Sequence, residues 1–283
     1  MIIGHKTQWQ FLKKIIENDR IPQAMIFTGI DSLGKKKVAL EFIKFLNCQR
    51  ESHTQLPSLK TCVSSSQGIF TKNKDLKGEP CQSCLSCKLI EKGQHPDLIL
   101  ITPEKNEIQI SQIRELQKAL NLKPRLSDFK LVIIDDAQCL NSQSQNCLLK
   151  TLEEPKGNSL LILITSNLES LFETIRSRCQ ILKFYPVSLQ ELEENFKTQV
   201  PLAQLQKIFL VSQGKPGRFL DFLKNSQKFL EEFKIFEEIE KLLESDLPEK
   251  FSFSREFFKK ETSQVHLNYF LDTIRNYIII VLE

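Results

Sequence analysis

No stretch of this 283-residue chain approaches the roughly 18 consecutive apolar residues of a membrane-spanning helix, so no membrane partner is expected. The first residues, Met1-Ile2-Ile3-Gly4-His5-Lys6, lack the basic segment and apolar core of a secretory leader, and a cytoplasmic location is the expectation. In that setting the eight cysteines read as thiols or metal ligands rather than as a disulfide framework. Charge of one sign is scarce as well: 39 Lys and Arg against 35 Asp and Glu leave a net +4, with a sequence pI of 8.5. That balance excludes a DNA-coating protein and fits a nucleic-acid-associated assembly. The length suggests two or three domains, and fractions of 41% hydrophobic and 26% charged residues are those of a soluble globular protein.

Glycine is sparse too, 9 in all, which gives weight to the spacing at 29–36. Gly29-Ile30-Asp31-Ser32-Leu33-Gly34-Lys35-Lys36 has the Gly-x4-Gly-Lys pattern of a phosphate-binding loop, expected by accident about 0.03 times in such a chain. An apolar run of strand length, 24–28, precedes it. Residues 37–46 follow with helical periodicity, Val38, Phe42 and Phe45 sharing a stripe. Strand, glycine loop and helix are the context the motif needs. The missing part is the hydroxyl. The Ser or Thr that closes a working loop ligates Mg²⁺, and Lys36 has no lone pair to offer a cation. A nucleotide-binding fold whose own hydrolysis is impaired or lost is the expectation.

A helix is expected at 7–18, a flexible Ser-rich insertion at 48–80 and a compact cysteine-bearing element at 81–93. Further strands are expected at 97–101, at 130–136 ending in two acids, and at 159–165. Helices at 111–120, with Ser111 as N-cap, and at 142–153, stopped before Pro155, separate them. Strands alternating with helices imply right-handed β-α-β units and a parallel sheet covered on both faces. After Tyr185-Pro186 the text is helical, at 189–196, 201–212, 219–244 and 265–282. One domain boundary falls near 186 and a weaker one near 225–245.

Four constellations carry chemistry. Asp135 sits where a parallel strand would present an acid to Mg²⁺ beside the phosphate loop, and Asp136 stands one methylene short of the water-polarising Glu usual in such ATPases. Thr165-Ser166-Asn167 ends the next strand, where a polar side chain would meet a γ-phosphate; such residues are also ordinary turn formers. Arg176-Ser177-Arg178-Cys179 offers a guanidinium that, at a subunit edge, could reach a neighbour's γ-phosphate. Cys81, Cys84 and Cys87 place three thiols on a tight turn suited to a tetrahedral soft cation, zinc over an iron–sulfur cluster. Cys48 and Cys62 are candidates for the fourth ligand and His53 a distant third. Cys139 and Cys147 read as core residues.

Leu148-Leu149-Lys150-Thr151-Leu152-Glu153-Glu154-Pro155 and Ile175-Arg176-Ser177-Arg178-Cys179, with Phe45-Leu46-Asn47-Cys48 and the cysteine triplet, resemble the AAA+ subunits of the bacterial DNA polymerase III clamp loader over residues 1–225. Two sister branches share these motifs, the ATP-hydrolysing tau/gamma motor and the delta-prime stator. Lys36, Asp136 and the segment from His95-Pro96-Asp97 to Pro103-Glu104-Lys105 bring this chain closer to the second.

The resemblance implies an AAA+ parallel-sheet P-loop core at 1–186 with an inserted zinc module, a small helical lid at 187–225 and a short helical collar at 226–283. It implies Zn²⁺ at Cys48, Cys81, Cys84 and Cys87, and a degenerate nucleotide site at Gly29, Gly34, Lys35, Asp135, Thr165 and Arg218, with ATP in question as its ligand. Arg178 is implied as an arginine finger acting in trans. The partners implied are tau/gamma and delta subunits in a hetero-oligomeric ring, the sliding clamp and primer-template DNA. A tau/gamma-type motor and a zinc-bearing nucleic-acid module are the competing readings; the second is disfavoured because Lys88 and Lys92 are balanced by Glu79 and Glu91.

Overall fold

A computed structural model describes residues 2–18, 20–48, 79–127, 129–154, 157–197, 200–244 and 246. The Ser-rich insertion, with His53 and Cys62, and the expected helix at 265–282 lie outside these residues. The chain divides into two compact units, Met1–Tyr185 and Pro186–Glu283.

The first unit is built on five parallel strands: β1 Ala24–Thr28, β2 Leu98–Ile101, β3 Lys130–Ile134, β4 Ser159–Thr165 and β5 Gln180–Lys183. Their order is β2-β3-β4-β1-β5. Strand residues alternate between the faces, as a period of two requires. Met25, Phe27, Leu131, Ile133, Ile162 and Ile164 join α1 (Lys6–Glu17), α2 (Lys35–Asn47) and α3 (Leu85–Glu91) in one core. Ala24, Ile26, Val132, Ile134, Leu161 and Leu163 join α4 (Ile110–Leu120), α5 (Ser142–Glu153) and α6 (Glu173–Arg176) in the other. Apolar residues on both faces explain why β1, β3 and β4 read as unbroken runs. Cys139 and Cys147 pack, partly buried, against the second core.

Element ends shift by a residue or two, β3 stopping at Ile134 before the two acids, and three departures have a clear physical cause. Helix α4 begins at Ile110, not at 111, and its N-cap is Gln109 rather than Ser111. Gln109 and Gln112 form a reciprocal capping box, Gln112 accepting from the Gln109 N–H at 2.9 Å. Strand β5 was not legible because it is an edge strand with exposed Gln180 and Lys183 at its ends, which leaves no continuous apolar run. The helix expected over 219–244 is two helices, α9 (Pro216–Lys224) and α10 (Ser226–Glu244). Asn225 leaves the helical region at φ −124°, and its side chain accepts from the Lys228 N–H at 3.3 Å, capping the restart. With α7 (Leu189–Phe196) and α8 (Leu202–Ser212) these helices make up the described part of the second unit.

Candidate nucleotide and metal sites

The phosphate loop leaves the C-terminal end of β1. A Cβ at Gly29 would lie 2.5 Å from the Phe184 carbonyl oxygen, so close approach of the β5 exit demands glycine there. Gly34, at φ +86°, turns the chain into α2. Between them Leu33 is buried, and its carbonyl accepts from His5 Nε2 at 2.8 Å, which ties the loop to the start of α1. Lys35 is buried and folds back into the loop, its ammonium donating to the carbonyls of Gly29 and, at 2.8 Å, of Ile30. Burial lowers its pKa below the ordinary lysine value, opposed by the charges of Asp31, Asp136 and Asp135.

Lys36 reaches across to β3. Its Nζ lies 2.8 Å from Asp135 Oδ2. Where a working site would set a hydroxyl and a carboxylate around Mg²⁺, this one sets an ammonium against the carboxylate. Asp136, in the left-handed region at φ +51°, accepts from Gln138 Nε2 at 2.9 Å, and Gln138 Oε1 accepts from the Ser166 N–H at 3.2 Å. Gln138 thus bridges the ends of β3 and β4. Sequence reasoning missed it, because a lone glutamine in a short turn carries no motif. Thr165 is buried, and its hydroxyl is engaged in its own turn: it donates to the Asn167 carbonyl at 2.8 Å and accepts from the Asn167 N–H at 3.1 Å.

Arg178 lies toward the other edge of the sheet. Gly29, Asp135 and Thr165 stand at or just beyond the C-terminal ends of β1, β3 and β4. Arg178 lines a small cavity with Gln23, Ala24 and Ser159, where β1 and β4 begin. Four peptide steps of β1 separate the two edges, about 13 Å at the rise of a strand. The guanidinium donates to the Thr174 carbonyl at 2.9 Å and pairs with Glu153 at 2.9 Å. In the second unit Arg218 pairs with Glu232 on α10 and lies over the Phe222 ring, 5.4 Å from its centroid.

The sulfurs of Cys48, Cys81, Cys84 and Cys87 all lie within 4.8 Å of one another. A zinc–thiolate tetrahedron sets its sulfurs about 3.8 Å apart, so this donor set fits with a small contraction. Backbone N–H groups point at the sulfurs: Cys81 N–H to Cys48, Cys84 N–H to Cys81, and Cys87 N–H to Cys84, at 3.3, 3.3 and 3.4 Å. Burial works to raise the Cys81 pKa, but the N–H groups of Cys84 and Ser83 prevail and hold it at about 6. Burial raises the thiols of Cys48 and Cys87, and the neighbouring cysteines push Cys87 further. Crowded thiols of this kind ask for a cation. Cys48 therefore joins the triplet among the described residues.

Residues 4–70 and 58–188 match the protein family described as "DNA polymerase III, delta subunit". The chain belongs to this family. Among curated members and relatives, it is 34% identical over 192 residues to DNA polymerase III subunit delta' of Bacillus subtilis (strain 168), covering 67% of this chain and 50% of that protein. It is 30% identical over 191 residues to DNA polymerase III subunit gamma of Buchnera aphidicola subsp. Acyrthosiphon pisum, covering 68% of this chain and 46% of that one. This DNA polymerase III delta-family chain thus spans about half the length of the curated relatives it matches. A solved structure of a Thermotoga maritima RuvB variant superposes with a TM-score of 0.50 at 15% identity, over 83% of this chain and 70% of that one. That is a likeness of fold alone, a parallel sheet flanked by helices. No helix among the described residues is long and apolar enough to cross a membrane.

Proposed function

We propose that this chain is a delta-prime-like stator of the DNA polymerase III clamp loader, one that braces a hetero-oligomeric ring while the sliding clamp is loaded on primed DNA. Its own cleft does not run ATP hydrolysis. The observation that carries this reading is the Lys36–Asp135 pair at 2.8 Å, in which a tethered ammonium stands where Mg²⁺ would be held. Arg178 is the part offered outward, to the γ-phosphate in a neighbouring tau/gamma-type subunit. Its place toward the sheet edge away from the phosphate loop supports service in trans, since from there it is remote from its own cleft. Residues 187–225 serve as the lid and 226–283 as the collar. Arg218, already paired with Glu232, has a structural part there.

Cys48, Cys81, Cys84 and Cys87 would hold Zn²⁺. Four sulfurs close the coordination shell, so the ion would supply structure and not an open catalytic position. Primer-template DNA has a candidate surface in the open groove of about 410 Å³ between α4 and α5, where Arg114, Lys118 and Lys150 outnumber the one acid, Glu154.

The similarity to gamma subunits favours a second reading, a tau/gamma-type motor. Purified protein mixed with Mg-ATP separates the two: micromolar binding with turnover would establish the motor and end the stator reading. In a complex reconstituted with a tau/gamma-type ATPase subunit, Arg178→Ala should cut the stimulated turnover by roughly 10³-fold, the scale on which arginine fingers act. Unchanged stimulation would remove Arg178 from the role.

A further inference from the structure

Charged side chains are rarely buried to full depth unless they are paired. Beyond Lys35 at its start, helix α2 carries two, Glu41 at 3% exposure and Lys44 at 1%, with Lys44 Nζ 3.1 Å from Glu41 Oε1. One such contact leaves most of their capacity unused, because an ammonium has three donors and a carboxylate about four acceptor sites. Lys37 Nζ stands 3.4 Å from Glu41 Oε1 on the exposed side, and the cysteine element supplies much of the remainder. Gln82, between Cys81 and Cys84, donates through Nε2 to Glu41 Oε2 at 2.7 Å and accepts through Oε1 from Lys44 Nζ at 2.8 Å. Glu91 of α3 accepts from Lys44 at 3.3 Å.

Gln82 is also held in the left-handed region, at φ +57°. A non-glycine residue keeps that conformation where its surroundings impose it. Here the residues on either side are drawn in by the converging thiols: Cys81 is bonded to Cys48 and Cys84 to Cys81 through N–H···S contacts. The same turn that gathers the sulfurs therefore aims the Gln82 amide at the buried pair.

We propose that Gln82 is a positioning residue through which metal held by the four cysteines governs the order of the phosphate-loop helix. With the metal in place the turn is fixed and the amide completes Glu41 and Lys44. Without it the turn loosens, the amide withdraws, and a buried charge pair is left short of partners, the costly arrangement for such a pair. Helix α2 begins with Lys35 and Lys36, so the cysteine element has a hold on the residues of the nucleotide cleft. None of this depends on the role of Arg178 or on the clamp-loader assignment.

The test is amide hydrogen exchange over 35–47 in the full chain, loaded with Zn²⁺ and then stripped by a chelator. Stripping the wild-type protein should speed exchange in α2 by at least about tenfold, a local opening of the helix. In Gln82→Ala the helix should already exchange faster with Zn²⁺ bound, and chelation should add little. The decisive variant is Glu41→Leu with Lys44→Met, in which apolar side chains replace the pair: it should keep about one Zn²⁺ per chain while α2 no longer responds to the chelator. Cys48 also touches the end of α2, and an effect carried by Cys48 would leave the double variant as sensitive as the wild type. That result would overturn the proposal, as would wild-type α2 exchange indifferent to chelation, or a chain that takes up no Zn²⁺.

Discussion

Two places in the first unit are arranged around a cation, and they obtain it in opposite ways. At the nucleotide cleft the cation is covalently part of the chain: the Lys36 ammonium sits 2.8 Å from Asp135. At the cysteine cluster four sulfurs converge within 4.8 Å, and Cys81 is held near pKa 6 by N–H groups, a site prepared to receive an ion from outside. The difference teaches what each region can do. Under the proposed reading, the tethered ammonium of Lys36 competes with Mg²⁺ for Asp135, at the position where phosphoryl transfer needs open coordination. Four converging thiols can take an ion from outside, and under the proposed reading the structure around them depends on it.

Asp97 makes a third case that sharpens the contrast, because its charge is met by backbone dipoles. It is fully buried and accepts from the N–H groups of Arg125, Leu126 and Ser127 at 2.7, 2.7 and 3.0 Å, with Lys130 at 3.4 Å. Burial alone would raise its pKa, but these N–H groups prevail and hold it at about 2. The loop at 125–127 is folded around this one carboxylate.

Cys84→Ser should give the largest effect. Metal content, measured by elemental analysis, should fall from near one per chain to near zero, with a stability loss of several kcal/mol in denaturant titrations. Full metal retention would mean that the four sulfurs are not the site. Next comes Asp97→Asn. The amide has one acceptor where the carboxylate has two oxygens, and the buried N–H groups left over should cost roughly 2 kcal/mol. The pH dependence has a definite sign. The folded pKa lies below the ordinary 3.8, so the stability Asp97 contributes is present above about pH 4 and is lost as pH falls through about 2. An acid-unfolding curve unchanged by the substitution would show that the carboxylate contributes nothing there.

The smallest effect bears most directly on the comparison. Lys36→Thr restores a hydroxyl and frees Asp135, and Mg²⁺ should then strengthen ATP binding by about tenfold relative to the unsubstituted chain, read by calorimetry with and without the ion. If the substituted protein is as indifferent to Mg²⁺ as the parent, Lys36 is not what closed the cation site, and the cleft and the cysteine cluster differ for another reason.

Local text determined a good deal. The apolar runs of β1, β3 and β4 were readable because strands covered on both faces need no alternation. The phosphate loop and the Cys81-Cys84-Cys87 turn were readable because their chemistry fixes short spacings. The missing hydroxyl at Lys36 was equally plain. What tertiary structure alone decided are the meetings of residues far apart in the chain. These include Lys36 with Asp135 across two strands' worth of connection, Gln138 between the ends of two strands, and Gln82 with a charge pair on another helix. Spacing is a local quantity, whereas charge compensation is settled by whichever groups the packed sheet and helices bring within reach. The sequence could therefore announce a cleft without its hydroxyl, and only the folded chain disclosed that the Lys36 ammonium pairs with Asp135.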